Sequence, residues 1–173
     1  TVGGRDFVQA NTSKDPAYGL FTTKPALVFD GVNDFMQAPA VNYAPYPAIT
    51  LASSFSYTAA GLVAIKETSA VYSSNVGAFI IAGNGGTVTP SYFSGVVQSR
   101  AFACANGTHR LIVTLDTGAV GTITACYLDG VSVGATPAGA SAALGNYVEH
   151  IGMRAGTSLP WAGKLGTDLV YSG

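Results

Sequence analysis

Nowhere in this chain does the apolar pattern keep a helical period. No stretch of about twelve residues places apolar side chains at i, i+3, i+4 and i+7 behind a capping residue. Short runs rich in β-branched and aromatic residues recur instead, separated by Gly, Asn, Asp and Pro. The clearest is "AITLASSFSYT" (48–58), where Ile49, Leu51, Ser53, Phe55 and Tyr57 share one face by period-two alternation. Further runs are "ALVFD" (26–30), "DFMQA" (34–38), "LVAIKE" (62–67), "AFIIAG" (78–83), "SYFSGVVQ" (91–98) and "RAFACA" (100–105). "HRLIVTLD" (109–116), "TITACYLDG" (122–130), "SVGATPA" (132–138), "YVEHIGMR" (147–154) and "WAGKLGTDLVYSG" (161–173) follow. About ten or more strands at this spacing predict two packed antiparallel sheets or a barrel.

Two hairpins are placed by their turns. Asp129-Gly130 sits between apolar residues, the strongest short hairpin signal. Gly118 and Gly121 permit positive φ in "LDTGAVGTI" (115–123). The segment before Ala26 has few strand features and is expected to wrap the surface. Residues 1–173 form one domain, since no repeat or linker divides them and this length buries a full core. The start at Thr1, without a signal-peptide pattern, reads as a fragment or C-terminal part of a longer chain.

Charged residues make up 10% of the chain, against ~25% in typical domains, and the net charge is −1. No basic field is available to hold phosphate, which excludes nucleic acid as a partner. No apolar run approaches the ~20 residues that span a bilayer, so membrane insertion is not expected. A weakly charged surface also suits a domain packed inside an assembly. Cys104 and Cys126 are either two buried thiols or one bridge; their spacing does not suit a metal.

The turn in "FDGVND" (29–34) gathers Asp30, Asn33 and Asp34. Their hard oxygens suit calcium, the one ion this sequence suggests, but no acidic loop with a distal Glu completes the set. A catalytic pair would stand ~5–9.5 Å apart across a substrate, and two ends of one turn give no sign of that. The same residues make sense as a turn: Asp and Asn side chains bond the backbone two residues on, and Gly31 accepts a left-handed conformation. The turn is the favoured reading. Glu67 ("AIKETSA") and Glu149 ("YVEHIGM") have no second carboxylate at an alternating position to share a strand face as acid and nucleophile, and no Gly-x-Ser-x-Gly elbow occurs. Glu149 and His150 are strand neighbours, so their side chains face opposite ways. The chain is therefore read as non-catalytic.

Three stretches in order carry a resemblance: "PALVFDGVNDFM" (25–36), "THRLIVTLD…ACYLDGVSVG" (108–134) and "VEHIGMRAGTSLPWAGKLGTDLVYSG" (148–173). Together they resemble the concanavalin A-like lectin/glucanase superfamily. Within it they are similar to laminin G-like modules of phage tail and virion proteins and bacterial surface proteins. The resemblance implies an all-β fold, a two-sheet antiparallel β-sandwich of jelly-roll type. It implies that the turn shapes a hairpin whose flanking Phe29 and Phe35 pack in the core, that His109 packs at a sheet edge and that Trp161 packs inward. It also implies a glycan- or receptor-binding module on a virion or at the cell surface, with host glycan as partner. The alternative is an assembly module of a virion or fibre, packing against virion proteins or itself, for instance as a trimer. Aromatic platforms with hydrogen-bonding neighbours are what a sugar needs, and Tyr43, Tyr46, Tyr92 and Arg154 are the candidates.

Overall fold

The computed structural model describes residues 7–9, 11–21, 23–59, 61–69, 71–117, 122–135, 140, 142–155 and 157–172. Among these described residues, two antiparallel seven-stranded sheets pack face to face. The first runs, in spatial order, through Ala17–Phe21 (β1), Lys24–Asp30 (β2), Ala162–Ser172 (β14), Ala48–Tyr57 (β4), Gly107–Asp116 (β10), Thr122–Leu128 (β11) and Val131–Ser132 (β12). The second runs through Met36–Asn42 (β3), Asn146–Ile151 (β13), Val63–Thr68 (β5), Phe79–Asn84 (β6), Thr87–Phe93 (β7) and Val97–Ser99 (β8). Phe102–Ala103 (β9) pairs with the far end of β7. The sandwich reading holds, and the barrel alternative falls.

Period-two alternation decides what each strand buries. In β4 the side chains at 49, 51, 53, 55 and 57 are buried, and those between them are half-exposed. Ile49, Leu51 and Phe55 meet Phe79, Ile81 and Val88 from the other sheet in one core. The Asp129-Gly130 hairpin forms as expected, with φ of 53° and 83° at the two turn residues. That double positive φ matches the right-handed twist of the flanking strands.

Four expectations need correction. Residues 17–21 form β1, an edge strand on β2, where surface wrapping without a strand was expected. An edge strand needs one pairing partner and little alternation, so its pattern is weak. The run 91–98 is two strands, because Gly95 (φ 103°) turns the chain between β7 and β8. Of 132–138 only Ser132 is in a strand; 136–139 lie outside the described residues, as do Gly118 and Gly121. Phe35 is only half-buried, capped by the Lys14 ammonium 5.6 Å from its ring, whereas Phe29 is fully in the core.

The three stretches that carry the resemblance meet at one corner. Phe29 (β2) pairs in register with Gly163 (β14), and its ring packs 5.2 Å from Trp161. Gly152, just past β13, holds φ at 89°, and a methyl group there would sit 2.3 Å from the Phe29 ring. Gly163 leaves the same kind of space for Trp161, at 2.3 Å. Gly152→Ala is expected to cost about 2–4 kcal/mol, combining left-handed strain with overpacking. Urea unfolding checks this; a midpoint within error of the parent protein would show that the corner relaxes freely.

Candidate functional site

The site is built on β5. A β-bulge falls between Ala64 and Lys66, where the register with β6 slips by one residue. Two residues then share one side, so Ile65 and Lys66 both turn inward, and Glu67 turns outward. The bulge's backbone groups are satisfied elsewhere: Ala64 N–H donates to the Leu159 carbonyl and Gly152 N–H to the Ile65 carbonyl.

On the outer face of the second sheet, Glu67 is fully buried beneath two covers. Its Oε1 accepts the Tyr72 backbone N–H at 2.8 Å, and its Oε2 accepts Arg154 Nε–H at 2.9 Å. Burial raises the Glu67 pKa, and those two partners oppose the rise. The Arg154 guanidinium in turn lies 5.7 Å from the centre of the Tyr72 ring. Beside this rim a groove of about 240 Å³ runs across β6, β7 and β8. Its lining mixes Leu62, Ile80 and Ala82 with Thr87, Thr89 and a Ser91–Ser99 hydroxyl pair at 2.9 Å.

On the inner side, Lys66 crosses the core. Its Nζ lies 2.8 Å from Glu149 Oε1 (β13) and 2.7 Å from Asp168 Oδ2 (β14). The Ser53 hydroxyl donates to Asp168 Oδ1 at 2.9 Å, and the Tyr43 hydroxyl donates to both Glu149 oxygens at 3.4 Å. The two sheets are thus joined by an ion pair as well as by apolar packing.

The candidate binding residues separate in the structure. Tyr43 and Tyr92 are buried to within 2% of full burial, so neither offers a ring face to a ligand. The Tyr43 hydroxyl serves Glu149, and the Tyr92 hydroxyl donates to the Ala142 carbonyl. Pro and Ser neighbours give both tyrosines loop-like surroundings in the sequence, whereas each ring turns into the sandwich. Tyr46 is half-buried and packs against the core edge, away from the groove. Arg154 alone of the four lines the groove. Tyr72 was missed, although its turn "YSS" (72–74) after a charged strand end hinted at a cover. Lys66 was missed as well; a lysine inside a β-rich run of a charge-poor chain was its signal.

In the 30–34 turn, Asp30 Oδ1 accepts the N–H groups of Val32 and Asn33, and Asp34 Oδ2 accepts that of Asp30. The Val32 N–H, first among several backbone donors, lowers the Asp30 pKa, and burial opposes it. Burial raises that of Asp34, and the Asp30 N–H opposes it. These hydrogen bonds close the turn. Among the described residues no group of three His, Cys, Asp or Glu could hold a metal. His109 is buried in β10, between Asp129 Oδ2 at 2.8 Å and the Ala105 carbonyl at 2.9 Å. Cys104 and Cys126 are free and buried, and burial pushes both thiols up to about 11.

The strand order is that of a two-sheet antiparallel β-sandwich of jelly-roll type. No protein-family model matches this sequence, and no curated protein matches it. Solved structures do. Botulinum neurotoxin type C, which depends on two ganglioside molecules to enter cells, superposes with a TM-score of 0.67 over 91% of this chain and 42% of the toxin chain, at 9% identity. Domains LG4-5 of the mouse laminin alpha1 chain superpose at 0.66 over 90% of this chain and 41% of theirs, at 15% identity. Domain 4 of the arabinanase AbnA from Geobacillus stearothermophilus, solved with arabinotriose, gives 0.67 over 91% and 75%, at 14% identity. The chain spans about two fifths of the toxin and laminin chains it matches.

His150 faces outward across β13, opposite Glu67 in register and 6.4 Å from the Phe35 ring. Burial holds its pKa below the usual histidine value, and the Glu149 charge opposes this. A depressed folded pKa contributes stability above the unfolded value of about 6.5, lost as pH falls through the folded value. His150→Gln should therefore show a flatter acid limb than the parent protein when melting temperature is followed from pH 7 downward. Parallel acid limbs would remove His150 from the cause.

Proposed function

We propose that this domain is a non-catalytic glycan-binding module working outside the cell, on a virion or a bacterial surface. The groove over β6–β8 is its ligand seat. One observation carries the reading: an open, hydroxyl-rich groove is rimmed by an aromatic ring and a guanidinium that a buried carboxylate holds in place. A pyranose ring stacks on Tyr72, its hydroxyls bond Thr87, Thr89 and Asn84, and Arg154 serves an acidic or vicinal-diol group. The fold is shared with domains that meet ganglioside and arabinotriose, which supports the reading. The carboxylates support the non-catalytic part. Glu67 is capped on the outer face while Glu149 points inward, so the two cannot flank one glycosidic bond.

The test is binding of the purified domain to candidate host cells before and after periodate treatment. Periodate should abolish binding, and Tyr72→Ala should weaken it about tenfold, the value of one lost stacking platform. Binding should survive EDTA, because the Asp30 and Asp34 oxygens close their own turn. Periodate-resistant binding would sink the glycan reading.

Assembly with copies of itself or with virion proteins is the second reading. Tyr18 is 90% exposed and Leu20 59% exposed on the edge strand β1, an open template for another chain. Sedimentation at rising concentration tests it. A trimer that Leu20→Lys dissociates supports assembly, and a monomer throughout rejects self-assembly.

A further inference from the structure

The Lys66 cluster is placed for chemistry that neither binding nor a simple ion pair uses. An amine lies 2.7 Å from one carboxylate and 2.8 Å from another, with side-chain exposures of 2%, 7% and 0% for Lys66, Asp168 and Glu149. The three groups come from β5, β14 and β13, so rigid strands of two sheets hold them in register. We propose that Lys66 Nζ and the Asp168 side-chain carboxyl condense into an intramolecular amide, with Glu149 carrying the proton.

The step balances without any outside reagent. The Nζ lone pair attacks Asp168 Cγ, forming the C–N bond. Charge gathers on Oδ1, where the Ser53 hydroxyl already donates a hydrogen bond. The Cγ–Oδ2 bond then breaks, and Oδ2 leaves as water. Of the three ammonium protons, two end on that water and one stays on the amide nitrogen. Glu149 Oε1 first takes one proton from Nζ, which frees the lone pair, and passes it to Oδ2; it takes a second from the attacked nitrogen and passes that on as the Cγ–Oδ2 bond breaks, finishing in its starting state. No oxidant, reductant or activating group is consumed.

Two physical effects favour condensation here. Strands fix the reactants together, which substitutes for a very high effective concentration. The product is a neutral amide, which removes the Lys66 and Asp168 charges from the core and leaves the Glu149 carboxylate to the Tyr43 hydroxyl. Asp168 also lines a cavity of about 330 Å³ with Phe7, Leu27 and Leu165, a route by which the water departs.

The experiment is the intact mass of the purified, denatured chain. Denaturant separates an ion pair and leaves an amide intact. The expected result is a mass lower than that of the sequence by one water, with a branched peptide joining residues 66 and 168 after proteolysis. Lys66→Arg and Glu149→Gln should each restore the full sequence mass, and circular dichroism should report whether Glu149→Gln keeps the β-sheet signal. A parent chain at full sequence mass overturns the proposal whatever the variants do. The same loss mapped to Asp30 or Asp129, as a succinimide before glycine, overturns it too.

Discussion

The sandwich closes where Phe29 lies between Gly152 and Trp161. The contact joins the two sheets at one end, because Phe29 belongs to β2 and Gly152 follows β13. Neither glycine at this corner is interchangeable with alanine. Gly152 needs positive φ, and Gly163 needs an absent side chain beside the indole. Gly31 adds a third constraint, since a methyl group there would lie 2.7 Å from Ala162 Cβ. Short motifs far apart in sequence are thus one packing requirement seen three times.

From that corner the bulge in β5 follows, and from the bulge both polar systems follow. Gly152 N–H takes the Ile65 carbonyl that the bulge frees. The slip of one residue turns Lys66 into the core and leaves Glu67 outside. Consecutive residues therefore serve opposite faces: one ties the sheets to each other, the other anchors Arg154 at the groove. A charge-poor chain places five of its charged side chains in these two adjoining systems. Neither would survive alternation without the bulge.

Much of the architecture was legible in the residues. The alternation of residues 48–58, the Asp-Gly hairpin and the acidic turn all rest on local rules, and local rules can be read along a chain. The site was harder because its determinants are not local. Whether Tyr43 and Tyr92 stack on a ligand or fill the core depends on a facing sheet, and both fill the core. The bulge leaves no mark in "LVAIKE", since its cause is the Gly152 and Leu159 backbone nearly a hundred residues on. Arg154 could be picked out as a polar loop residue, but its partners Glu67 and Tyr72 could not.

The position of β14 has a consequence for biosynthesis. This strand lies between β2 and β4, near the middle of its sheet, yet it is made after all the others. Until it emerges from the ribosome, the β1–β2 pair and the β4–β10–β11–β12 ribbon present open edges to each other across a missing strand. The nascent chain must be kept from pairing wrongly through that whole interval. Its folding is then a late, concerted insertion of one strand into a waiting gap, with long-range contacts dominating the rate.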